Sequence, residues 1–265
     1  MIGPDYGQRG RNVTIMVRAA ILVSGEGRRM RALLDSAFFH EIDNLEIAGV
    51  ICSDPEAPAL RSARSSNVPA YVVEEHLFPN IGSYGLALLN MLKDIDTDLV
   101  VLAGFTPGLG PAARYYSGRT IGVFPSLIPA FEQMSERQAI QSALVREVRL
   151  TGATSYVADD EGRVGHILEQ RAVAVQRTDT PETLEDRIFE QAERDLLLDA
   201  VKAYCAKAKQ AEEAAVLAAK RLEEEKAAAA EPTAEPAEEP AAEISAETPE
   251  EPAAEPTAEP ETTEE

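Results

Sequence analysis

The feature that most limits what this chain can become is an alternation running from Val17 to Phe124, in which short apolar, β-rich runs are separated by stretches with helical spacing. A run begins at Val17, and others span Ile47–Cys52, Val68–Val73, Asp98–Gly104 and Thr120–Phe124. Between them Met30, Leu33, Leu34, Ala37 and Phe38 recur at helical intervals, Leu60–Ser66 reads as a short helix, and Leu86–Leu92 supplies the apolar positions of another. Strands alternating with helices of about ten residues predict an α/β protein, a mostly parallel twisted sheet with helices on both faces and right-handed crossovers.

Further along, Gln138–Val148 reads as a helix, and Gly152–Ala158 and His166–Val175 as two strands joined by the polar turn Asp159–Gly165, antiparallel near the sheet edge. Asp179, Thr180 and Pro181 open a helix with a cap, a proline in the first turn and acids at the positive dipole end. It is expected to reach about Tyr204. Ala206–Ala230 is mainly Ala, Glu and Lys with only Val216, Leu217 and Leu222 as large apolar residues, which predicts a solvated, marginal helix. The expected organisation is a disordered leader over 1–16, with Met16 an alternative start, a folded domain over 17–205, the polar helix over 206–230 and a disordered Ala/Glu/Pro-rich tail over 231–265.

Charge narrows the function classes. Of the net −21, the segment 231–265 contributes 13 glutamates and no basic residue, leaving −8 for everything before it. An acidic body and tail argue against nucleic acid and against anionic membranes as partners. Cys52 and Cys205 belong to no CxxC pair and accompany only three histidines, so neither a disulfide framework nor a metal site is indicated. No apolar run approaches the ~18 residues of a membrane span. A cytoplasmic location is the expectation.

The stretch Ile121–Phe131, IGVFPSLIPAF, marks the expected site: a buried strand meets two prolines at the sheet edge, where α/β proteins bind ligands. Together with ILVSGEGRRMRALLD, LVVLAGF and DTPETLEDRI, its PSLIPAF resembles the glycinamide ribonucleotide formyltransferase family of purine biosynthesis, in order over Ala19–Tyr204. The resemblance implies a formyltransferase-type, Rossmann-like fold. It also implies transfer of a formyl group from 10-formyltetrahydrofolate to the amine of a phosphorylated, ribonucleotide-like small molecule. Such chemistry needs donors for a developing oxyanion and a group to take the amine's proton.

The family's Asn, His and Asp for this task fall at Gly122, Phe124 and Arg163, none of which can serve, while the cleft frame Pro125 and Ser126 matches. The loop Ser24–Arg29, with Gly25, Gly27, Arg28 and Arg29, corresponds to the family's phosphate-binding turn at a helix start. Glu193, after a one-residue shift, corresponds to an acid contacting the ribonucleotide. Each has a plainer reading: Arg28 and Arg29 as a solvated helix face, Phe124 as core, Glu193 as an exposed helical acid. His40 and His76 carry no signal.

The expected function is thus a divergent member of the family, catalytically degenerate, with a phosphate or ribonucleotide pocket retained. One alternative is an active enzyme on a phosphorylated substrate that uses Asp159, Asp160 or His166. Another is a non-catalytic nucleotide-sensing or partner-binding protein.

Overall fold

The computed structural model describes residues 16–229. Seven strands form one sheet in the order β3-β2-β1-β4-β5-β6-β7. The first five, β1 (Val17–Val23), β2 (Leu45–Cys52), β3 (Ala70–Val72), β4 (Leu99–Leu102) and β5 (Thr120–Phe124), run parallel. The last two, β6 (Leu150–Ala158) and β7 (Val164–Ala174), are antiparallel to their neighbours, as the polar turn between them required.

A strand covered on both faces needs apolar residues at consecutive positions. In β1, Val17, Ala19, Ile21 and Val23 enter one core layer while Ala20 and Leu22 enter the other. The first layer packs under α1 (Arg28–Phe38), α2 (Pro58–Ser65) and the C-terminal helices. The second packs under α3 (Ile81–Asp94) and α4 (Pro111–Tyr115) through Tyr84, Leu88, Leu92, Ala112 and Ala113. Helix α3 starts five residues before its expected apolar stripe, because Asn80 caps it by accepting from the Ser83 amide at 2.9 Å. Helix α4 is too short for periodicity to announce it.

Helix α5 (Glu136–Val145) begins two residues earlier than its apolar pattern suggests, because Ser135 and Gln138 close a reciprocal capping box. That cap sets Glu136 at the first helical position, facing the carboxyl edge of the sheet. Later in the chain, Thr180 caps α6 (Pro181–Ile188) with Pro181 in its first turn. Asp179 pairs with Arg187 at 2.5 Å and accepts from the Gln176 amide at 2.7 Å, closing the entry to the helix.

A π turn, Phe189–Glu193, then interrupts the helix before α7 (Arg194–Ala229). The turn ends on Glu193, which is buried. Leu196, Leu197, Ala200, Val201 and Cys205 of α7 are buried, whereas Val216, Leu217 and Leu222 are about half exposed. The compact unit ends at Lys220; of the segment from Arg221 onward, the described residues continue as helix to Ala229. The expectations of a disordered leader and tail fall, except for Met16, outside the described residues. No helix among them is long and apolar enough to cross a membrane.

Removing the Ser135 hydroxyl leaves the Gln138 amide at the start of α5 without its partner. Ser135→Ala should lower stability by about 1 kcal/mol, read as a lower urea midpoint with unchanged slope. An unchanged midpoint would show that the box contributes nothing.

Candidate ligand cleft

The carboxyl ends of β4 and β5, the start of α5 and the β6–β7 turn surround a cavity of about 70 Å³. Leu102, Gly104, Phe105, Pro107 and Leu109 supply one side, and Val123, Glu136, Tyr156 and Gly162 the other. This is the sheet edge to which IGVFPSLIPAF was expected to lead. The loop after β5 is held rigidly. Ser126 is buried and its Oγ donates to the Ala130 carbonyl at 2.8 Å, so it frames the cleft and offers no free hydroxyl. Thr154 donates to the Ser126 carbonyl at 2.6 Å, and Gln170 donates to the Ile128 carbonyl at 2.9 Å. Pro125 is buried beside them.

Gly122 lies directly opposite Tyr156 across the β5–β6 ladder. A Cβ at position 122 would stand 2.6 Å from both the ring Cζ and the hydroxyl of Tyr156, far inside contact distance. The tyrosine therefore takes the volume that a side chain at 122 would need. Phe124, two residues on and on the same face, is buried with Tyr156, Ile128, Ala139 and Ala158 in a small apolar cluster. Burial, with help from nearby Glu136 and against the pull of Arg29, pushes the Tyr156 phenol up to about 12. At neutral pH it is therefore an un-ionised donor.

The two arginines of the first loop part company. Successive helical residues point about 100° apart, and Arg28 turns outward to Glu185 at 2.9 Å and to Asp186, with its guanidinium over the Phe189 ring. Arg29 turns inward and is buried. Its Nε donates to Glu193 at 2.8 Å and its Nη1 to both oxygens of Glu136 at 2.9 Å. Burial opposes the Arg29 charge, but the two carboxylates outweigh it and hold the guanidinium more firmly protonated than usual. Burial holds the Glu136 carboxyl above its usual range; Arg29 opposes that shift, and Glu193 adds to it. Gly25 and Gly27 shape the turn, Gly27 with φ 74° and its Cα packed so that a Cβ would meet Ala59 at 2.9 Å.

Each predicted site residue thus has a definite place. Gly122 and Phe124 do come together against Tyr156, which lines the cavity as they do not, and Glu193 is linked through Arg29 to Glu136, which lines it. Arg28 does not converge with Arg29, since each guanidinium finds two carboxylates of its own. Arg163 sits on the β6–β7 turn, its side chain 70% exposed and paired with Asp159 and Glu161. Partial burial of Asp159 works against its charge, but the Arg163 and Glu161 amides and the Arg163 guanidinium hold it below the usual carboxylate range. Asp160 accepts from Ser117 at 2.6 Å, and His166 is exposed. None of these three alternative groups lines the cavity. Among the described residues no cluster of His, Cys, Asp or Glu is arranged to hold a metal ion.

Two residues that matter here, Tyr156 and Glu136, escaped the sequence reading. Glu136 could have been found from Ser135-x-x-Gln138, which announces a helix start. Tyr156 has no local motif, because its role follows from the pairing register.

A seven-stranded α/β sheet with its cleft at the β4 and β5 carboxyl ends is the frame of a formyl transferase, and the chain belongs to that family: residues 17–201 match its model, described as formyl transferase. Within the family its homologues are phosphoribosylglycinamide formyltransferases. That of Mycobacterium tuberculosis (strain ATCC 25618 / H37Rv) is 36% identical over 188 residues, covering 70% of this chain and 84% of the relative. Glycinamide ribonucleotide transformylase 1 from Symbiobacterium toebii superposes with a TM-score of 0.69 at 29% identity, covering 77% of this chain and 94% of that one. The trifunctional purine biosynthetic protein adenosine-3 of Bos taurus is 34% identical over 173 residues, which cover 64% of this chain. The chain spans only 17% of that relative's length.

The Gly122–Tyr156 contact can be tested by a double-mutant cycle. Gly122→Ala forces a methyl group against the ring and should cost about 1–3 kcal/mol. In a Tyr156→Leu background the same substitution should cost much less, because the ring is gone. Equal costs in the two backgrounds, measured by urea denaturation, would mean the ring does not claim that space.

Proposed function

We propose that this chain is a formyl transferase family member that has lost formyl transfer and uses the same cleft for binding. The observation that carries the reading is the occupation of the expected catalytic edge by the chain's own groups: Tyr156 stands over Gly122, and Phe124 is packed into the apolar cluster behind it. No side chain at Gly122 or Phe124 can donate a hydrogen bond or exchange a proton. Loss of a single oxyanion donor costs on the order of 10²–10³ in turnover, and here the resemblance implies loss of a donor and an acid–base group together.

The ribonucleotide end supports the same reading. Arg28, Arg29 and Glu193, which the resemblance assigns to phosphate and ribonucleotide, act as mutual counterions or as partners of Glu136, Glu185 and Asp186. A phosphate would meet guanidiniums whose charge two carboxylates each already offset. The glycine turn at Gly25 and Gly27 keeps its shape, but its arginines are committed elsewhere. The folate end fits poorly too: 10-formyltetrahydrofolate would have to enter a cavity of about 70 Å³, well below the roughly 300–1,000 Å³ of sites for ligands of that size. No step through the folate is derived for this chain.

The purified chain, supplied with 10-formyltetrahydrofolate and phosphoribosylglycinamide, should release tetrahydrofolate no faster than a protein-free control. Turnover in the range of about 1–10³ s⁻¹ that is ordinary for enzymes would overturn the proposal.

A further inference from the structure

A cavity of about 400 Å³, much larger than that of the cleft, lies where the end of α5 meets the start of β6 and the segment leading from β7 into α6. It shares no lining residue with the cleft. Its volume falls within the roughly 300–1,000 Å³ of sites that hold small molecules. Leu144, Val148 and Val175 supply its apolar lining, and Glu147, Arg149 and Arg177 supply charge. Backbone bonds fix these walls in advance. The Glu147 amide donates to the Leu144 carbonyl at 3.0 Å and the Val148 amide to the Ala143 carbonyl at 3.1 Å, which closes the end of α5. The Val175 amide donates to the Arg149 carbonyl at 3.0 Å and so ties the β6 side to the β7 side.

The charges at this cavity are unspent. Asp179 also lines it, but that carboxylate is matched by Arg187 at 2.5 Å and by the Gln176 amide at 2.7 Å. Arg146, beside Glu147, has its guanidinium over the Phe131 ring. The side chains of Glu147, Arg149 and Arg177, by contrast, have no ion pair or hydrogen bond among the described residues, with one another or with any other group.

A ligand that serves all three must carry an anion, a cation and an apolar body. A carboxylate suits Arg149 and Arg177, whose planar donors match its two oxygens. An ammonium suits Glu147 and gains from the carboxyl end of α5, the negative pole of the helix dipole. A simple organic anion would be opposed by Glu147, and a simple amine by two guanidiniums. A wholly apolar molecule would cover three charges and pair none of them. An aliphatic α-amino acid in its zwitterionic form meets every demand, with both charged groups on one carbon and an apolar side chain for Leu144, Val148 and Val175.

We propose that this cavity is a binding site for a zwitterionic aliphatic α-amino acid, its carboxylate held by Arg149 and Arg177 and its ammonium by Glu147. The site is separate from the cleft, so it stands whether or not the cleft transfers formyl groups. No covalent step is involved.

The test is ligand-observed NMR on the full chain with three probes: L-leucine, isocaproate, which is leucine without its ammonium, and isoamylamine, which is leucine without its carboxylate. Leucine should bind saturably in the millimolar range, and neither analogue should saturate there. Glu147→Gln, and Arg149→Gln combined with Arg177→Gln, should each weaken leucine roughly tenfold, the loss expected for one charge-assisted contact. All three side chains are exposed, so these variants keep the fold. Absence of saturable leucine binding would overturn the assignment. So would unchanged binding by either variant, or binding of either analogue as tight as that of leucine. Tetrahydrofolate release by the same preparation would count against the non-catalytic reading of the cleft and leave this assignment untouched.

Discussion

The cleft of this protein depends on one buried cation. Arg29 leaves the first turn of α1, passes beneath the sheet edge and is clasped by Glu136 at the start of α5 and Glu193 in the π turn before α7. Three elements distant in sequence are fixed to one another at this point. Taking the guanidinium out of water is costly, and two close carboxylates are what make it tolerable. The same pairing offsets the Arg29 charge on two sides. Removal of Arg29 would leave two carboxylates facing each other without a counterion, so the cation is what holds the cluster together.

Around that unit the other departures are mutually consistent. A glycine at 122 is needed because Tyr156 lies against it, and a phenylalanine at 124 completes the apolar packing behind the tyrosine. The frame of the cleft is maintained independently, by Ser126, Thr154 and Gln170 bonding across the loop after β5. The family's scaffold and the proposed change of role therefore involve different residues. Under the proposed reading, a rigid frame with Tyr156 over Gly122 and Phe124 in the apolar cluster suits binding better than transfer.

Much of the fold was legible in the sequence because strands buried on both faces must be continuously apolar, as in β1, β4 and β5. The antiparallel edge followed from the polar turn Asp159–Gly165. The π turn and α4 were not legible: one is a single-residue insertion inside a helical pattern, the other is shorter than two helical periods. At the site, Gly122, Phe124, Pro125 and Ser126 could be placed because they form one contiguous motif. The separate fates of Arg28 and Arg29 could not, since both directions are open to a helix start until the partners on α5, α6 and the π turn are known. Tyr156 lies 34 positions from Gly122, and only the β5–β6 register brings them face to face.

The central proposal is that Arg29, Glu136, Glu193 and Tyr156 close this cleft to the substrates of the family. Titration calorimetry of phosphoribosylglycinamide into the full chain addresses it most directly. No saturable heat is expected at millimolar ligand. Single-site binding with a micromolar Kd would contradict it.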